Sequence, residues 1–365
     1  MVLYSIGILG MMQLQICLNQ DPKMTIRTLS MALFLATACL FFFPVSNGIA
    51  SIQDEQDEEE PKQIDNLPDK LSETGFYLST EKKKLSPDLV PYQVRAPLWT
   101  DGGEKERFIL VPKGKKIGFK KDGTWDYPEG TRFMFTIYIE EDGERLYLET
   151  RMMEKNGKKL TFASYAWDAD QKDATRFRDG HQFYANYGHS TQIWKLTPDL
   201  RCFRCHDKSS ALVLGAKTSQ LNMDIDVKGK KVNQLVHLKN LGILEGLPKE
   251  LKDMPMQVDY KDEKLDLNSR ARSYLDVNCG VCHVPNGNGS GTLDLRFDTP
   301  MHETGMIKLN KKFQITAGAI YPGKPRRSRL VRRMRTVTEF RMPDELSTVP
   351  DMKGIKLISD WIKSR

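Results

Sequence analysis

The chain has 365 residues, 39% of them hydrophobic and 28% charged, with a formal net charge of +7. That length accommodates two or three domains, and the balance excludes both a chain disordered throughout and a membrane bundle. The basic excess is too mild to indicate a nucleic-acid binder.

Residues 1–50 read as an export leader. Met24 offers a second start, Arg27 follows it, and an apolar run of about 15 residues covers 31–45. Gly48 and Ala50 would occupy positions −3 and −1 of a cleavage after Ala50; an uncleaved leader would instead anchor the chain to a membrane. A lipoprotein site at Cys39 fits less well, because Leu40 and Phe41–43 continue the apolar run beyond it. The segment 51–90 begins with the acidic tract SIQDEQDEEEP and is expected to be a solvated, disordered linker.

From 91 to 199 the texture is β, and the expectation is an antiparallel, sandwich-like domain. Asp122-Gly123, Asp142-Gly143 and Asn156-Gly157 are hairpin signals. Between the first two, Phe133, Phe135, Ile137 and Ile139 alternate with period two, which would bury one face of a strand. Trp125 and Trp167 suit core packing, with a stacking platform for a carbohydrate as the other use.

After residue 200 the pattern turns helical, and the fold class expected is α+β: a β domain followed by two mainly α-helical segments, 200–265 and 266–365. Helices are predicted over 233–241, 268–278 and 354–364, with a linker over 248–264 and a flexible loop at PNGNGSG, 285–291.

Six cysteines are present, and Cys17 and Cys39 lie in the leader. The other four form two Cys-x-x-Cys-His motifs: Cys202, Cys205 and His206, then Cys279, Cys282 and His283. This is the spacing of c-type haem attachment, in which two thiols add to the porphyrin vinyl groups and the adjacent His ligates the iron. Chance placement would yield on the order of 0.002 copies, so two copies imply two covalently bound haems. A structural zinc site usually separates its cysteine pairs by about 15–20 residues; these begin 77 apart. A dithiol redox site would leave both histidines unexplained.

Helix 268–278 leads into the second motif, and Met342 follows His283 by 59 residues, in a loop ahead of Pro343. That setting makes Met342 the expected second axial ligand of the second haem. Met334 shares a helical face with Leu330 and Val331 and is expected in the core, while Met301, Met306 and Met352 lack a comparable setting. The sixth ligand of the first haem is open among Met223, His181, His189, His237 and water, with Met223 preferred. The run KPRRSRLVRRMR presents Arg326, Arg327, Arg329, Arg332 and Arg333, a docking surface for an acidic redox partner or a set of solvated charges.

The blocks PLWTDGGEKERFILVPKG, GTWDYPEGTRF, LETRMM, SYAWDADQKDA, RARSYLDVNCGVCH, YPGKPRRSRLVRRM, RMPDE and LISDWI resemble a family of bacterial di-haem c-type cytochromes. The region from 266 onward resembles a class I cytochrome c module. The likeness runs from about residue 91 to the end. It implies a β-rich N-terminal domain before two haem segments, and it supports Met342. The expected function is electron transfer between periplasmic redox partners, with no nucleic acid involved. The alternatives are a di-haem peroxidase-like enzyme and a binding module whose cytochrome serves as electron outlet. The distance between the motifs and the β domain both count against the peroxidase, so no peroxide turnover is expected.

Overall fold

A computed structural model describes residues 66–157, 159–187, 190–206, 213–289, 291–308, 318–344 and 347–365. The expected leader and the acidic tract lie outside the described residues. Among the described residues no helix is long and apolar enough to cross a membrane.

The strands are β1 (Tyr77–Ser79), β2 (Lys84–Leu85), β3 (Val90–Pro91), β4 (Glu104–Leu110), β5 (Ile117–Gly118), β6 (Arg132–Glu141), β7 (Glu144–Asn156), β8 (Lys159–Trp167), β9 (Ala174–Arg176), β10 (His181–Tyr187) and β11 (Ser190–Leu196). Then follow α1 (Thr218–Leu221), β12 (Asp224–Val227), β13 (Lys230–Asn233), α2 (Gln234–Asn240), β14 (Leu244–Glu245), α3 (Leu267–Asn278), α4 (Arg329–Arg335) and α5 (Met352–Lys363). The architecture is α+β with antiparallel sheets. Its centre is a six-stranded sheet in the order β3-β4-β6-β7-β8-β9, every neighbour antiparallel.

Asp142 and Gly143, at φ 52° and 82°, turn β6 into β7 as that dipeptide requires. Asp122-Gly123 reverses the chain between Gly118 and Asp126, which exchange backbone hydrogen bonds of 2.9 Å.

Strand β6 departs from the expectation of one buried face. Phe133 and Ile137 are buried on one side, and Met134, Thr136 and Tyr138 on the other. The second face is covered by residues 71–89, which had been assigned to the linker: Leu71, Phe76, Tyr77 and Leu89 pack with Met134, Tyr138, Tyr165 and Trp167. The linker expected over 51–90 is therefore folded in its latter part, because its apolar side chains close the sheet. The sandwich is corrected as well. The opposite face is layered partly by the β10–β11 hairpin, through Ala185, Trp194 and Leu196, and partly by residues 213–247.

No domain boundary falls at 199/200. Val213, Ala216, Leu221, Leu235 and Leu244 share one core with Ile109, Phe133 and Phe162 of the sheet, and Gln63–Arg365 form one compact unit. Trp125 and Trp167 are buried. Trp125 Nε1 donates to Thr218 Oγ1 at 2.9 Å, so neither ring is available as a stacking platform.

In the C-terminal part α3 packs against α5. Asp266 and Asp351 cap the two N-termini, accepting from Ser269 N and Gly354 N at 2.8 Å each. Trp361 is fully buried and its Nε1 donates to Asn268 Oδ1 at 3.0 Å. Val331 and Met334 of α4 are buried in the same core, as the helical face predicts. The helices meet closely at Gly354, where a Cβ would overlap the Tyr274 hydroxyl. Gly354→Val is expected to lower stability by about 1–3 kcal/mol through overpacking, measured by urea denaturation. A midpoint equal to wild type would show that the crossing can open.

Candidate functional site

Both motifs sit on turns of the same backbone geometry. In the first, Cys205 N and His206 N donate to Cys202 O at 3.1 and 3.0 Å; in the second, Cys282 N and His283 N donate to Cys279 O at 3.1 and 2.9 Å. Residues i, i+3 and i+4 of a helical turn share one face, so each turn gathers its two thiols and its imidazole.

The first turn forms the end of a 3₁₀ helix, Asp199–Arg204, with Cys205 as its C-cap. Asp199 fastens its start: Oδ1 accepts from Ser164 N at 3.0 Å, and Oδ2 accepts from Arg176 Nε and Nη2 at 3.0 and 2.7 Å. The second turn continues from α3, with Cys279 N and Gly280 N donating to Leu275 O.

The glycine-rich segment after the second motif is not the free loop expected. Gly289 N donates to Cys282 O at 2.9 Å, and a Cβ at Gly289 would lie 2.6 Å from His283 Nδ1. Only glycine allows the backbone to pass this close to the imidazole. Asn288 Nδ2 donates to Arg204 O at 2.8 Å, tying the second motif's loop to the first motif.

The two motifs meet. Cys205 Sγ lies 3.8 Å from Cys282 Sγ, a contact distance well beyond the ~2.05 Å of a disulfide. Asp344, in the loop that carries Met342, is 3.7 Å from Arg204 Nη1, and its charge acts on both Cys205 and His283. Met342 is half-buried, and its N donates to Arg333 O at 3.0 Å. The far end of the same loop is held by the buried Asp101, which accepts from Thr348 N, Thr348 Oγ1 and Val349 N at 2.8–3.0 Å. Trp99 N donates to Asn278 Oδ1 at 2.9 Å. The PLWTDGG block thus stitches the β sheet to both the second motif's helix and the methionine loop.

Burial pushes the Cys202 and Cys279 thiols up to about 12. The contact with Cys282, then burial, raises Cys205 further. Such thiols are poor thiolates, which disfavours a dithiol redox couple. Burial also lowers the His283 imidazole, favouring the neutral form that can ligate a metal. His283 Nδ1 is buried with no hydrogen-bond partner. Among the described residues no three His, Cys, Asp or Glu side chains gather so as to hold a metal ion.

A cavity of about 660 Å³ opens in front of the first motif, walled by Cys202, Cys205 and His206 and by Gly280, Val281 and Val284 of the second. Its floor is the six-stranded sheet. Cross-strand partners lie on one face, and the pairing sets them in rows. Ile109, Phe133, Met153 and Phe162 form an apolar row. Arg107, Phe135, Arg151 and Ser164 form the next, and Lys105, Ile137 and Glu149 the next. The His206 ring lies 5.0 Å from the Phe162 ring, over the apolar row. The size suits a large organic ligand, and the apolar walls with two thiols and a histidine at the mouth suit a covalently held haem.

Sequence reasoning missed this floor. LETRMM carries the signal, since period-two alternation puts Arg151 and Met153 on one face, yet nothing local says what that face meets. Met223 is half-buried in the turn before β12 and is not part of the cavity wall; Met153 is. His237 is half-buried on α2. His181 stacks on Phe177 at 4.0 Å and lines a second cavity of about 710 Å³, shared with Arg151, Arg201, Arg341 and Asp344. His189 lies outside the described residues. Arg326, Arg327, Arg329 and Arg332 are exposed, and Arg333 is half-buried over the Phe340 ring, donating to Phe340 O at 2.7 Å.

No protein-family model, no curated protein and no solved structure matches the chain.

Proposed function

We propose that the chain is an exported di-haem c-type cytochrome that carries electrons between periplasmic redox partners. The observation that carries this reading is the contact between its two Cys-x-x-Cys-His turns, alike in backbone geometry and 3.8 Å apart at Cys205 and Cys282. A pair of attachment sites placed side by side suits relay better than two independent functions.

Cys202 and Cys205 would hold one haem and Cys279 and Cys282 the other, with His206 and His283 as proximal ligands and Met342 as distal ligand of the second; Met223, preferred from the sequence for the first, lies outside the cavity wall. Bound there, haem supplies reversible one-electron exchange at iron. The chain's part is to keep the His283 imidazole neutral and to fix the turns, through Asp199 at the first and Gly289 at the second. It also walls water from the first site with Phe133, Phe162, Val281 and Val284. The region 266–365, with α3 and α5 packed across one another, would be the class I-like module. On the surface of that region Arg326, Arg327, Arg329 and Arg332 are exposed, and so are Val337 and Phe340. An exposed run of arginines suits an acidic redox protein, whose encounter it would accelerate and orient.

The purified exported chain, extracted with acid–acetone to remove loose haem, is expected to give two haems c per polypeptide in the pyridine haemochrome assay. A value of one or zero, or bound zinc in their place, would sink the reading.

A further inference from the structure

The cations on the cavity floor are not evenly matched by acids. Arg151 has Glu149 at 2.5 Å, Lys217 has Asp276 at 3.1 Å, and Arg296 has Asp294 at 2.5 Å. Lys105 and Arg107 also line the cavity, on alternate positions of β4, yet among the described residues neither has a carboxylate within ion-pair distance. Lys105 Nζ donates to Leu98 O at 2.9 Å, and Arg107 Nη1 makes a long bond of 3.4 Å to Lys105 O. The nearby Glu104 is exposed and pairs with Lys261 at 3.4 Å.

Two cations held together in a poorly hydrated place are costly unless an anion compensates them. Burial, and for Lys105 the positive neighbours Arg107 and Arg151, push both groups below their ordinary values. The cavity floor is also graded. The apolar row lies under His206, and Arg107 and Lys105 lie one and two rows further along the strands.

We propose that Lys105 and Arg107 are an anion anchor for the two propionates of the haem held by Cys202 and Cys205. This rests on the cytochrome reading and deepens it. A haem carries its propionates on the edge away from the vinyl groups, so a cavity lined both by the thiols and, strands away on β4, by two cations without a carboxylate partner offers groups for both edges of that one ligand. The anchor would fix the ligand's orientation and set its potential, because a nearby positive charge favours the ferrous state.

The test is an optical redox titration of the full exported chain and of Lys105→Met, Arg107→Gln and Arg107→Lys. Lys105→Met and Arg107→Gln are each expected to lower the midpoint of one haem and leave the other in place, with two haems still bound. Arg107→Lys keeps the charge and is expected to stay close to wild type. Two unmoved midpoints in the neutral variants overturn the anchor while leaving the cytochrome intact. So does a midpoint that falls as far in Arg107→Lys as in Arg107→Gln. A wild-type chain without haem sinks the parent reading instead, and the anchor with it.

Discussion

Met342→Ala is expected to abolish the weak charge-transfer band in the red that ferric haem shows with histidine–methionine ligation, and to lower the potential of that haem. The thioether is soft and polarisable and favours ferrous iron, so its loss acts on potential directly. The loop that carries Met342 is held along its length. Met342 N is tied to Arg333 O, Asp344 reaches Arg204 at 3.7 Å, and Asp101 clamps Thr348 and Val349. Haem content should stay at two, since Cys279, Cys282 and His283 are untouched. If band and potential both survive, another residue is the ligand and Met342 is a packing methionine.

Asp199→Ala is expected to cost about 3–5 kcal/mol, because it removes a buried carboxylate that pairs with the Arg176 guanidinium and accepts from Ser164 N. The pair is almost wholly inaccessible, with side-chain exposures of 0% for Arg176 and 3% for Asp199. Asp199 also accepts from Ser164 N and stands three residues before Cys202. The first haem should therefore be attached less completely in the variant, and the second should not. Asp199→Asn keeps an acceptor for Ser164 and should lie between the two. Urea unfolding monitored by tryptophan fluorescence measures the first effect and haem stoichiometry the second. A variant within about 0.5 kcal/mol of wild type, the range of neutral surface changes, would mean that the pair does not hold the motif in place.

The helices were legible because their ends carry local chemistry. The expectations 233–241, 268–278 and 354–364 became Gln234–Asn240, Leu267–Asn278 and Met352–Lys363, with Asn233, Asp266 and Asp351 as caps. The motifs were legible for the same reason, since a five-residue pattern needs no partner to be recognised. Long-range partners were not. Nothing near Leu71 or Phe76 says that they cover Met134 and Trp167, so the acidic tract before them dominated the reading of 51–90. Lys105 and Arg107 look like the outward charges of an edge strand until the sheet is assembled and both point into a cavity. The meeting of Cys205 with Cys282 spans 77 residues, and no local preference encodes a contact of that reach.

That meeting bears on the order in which the molecule is made. Cys205 is only 8% exposed, and Val281 of the second motif and Val284 just after it form part of the wall before the first. An enzyme that joins vinyl groups to these sulfurs would find the first pair shut in once the chain had folded. In the cytochrome proposed above, attachment would therefore have to run ahead of closure, with haem joined to a chain that is still open. The core would then form around it.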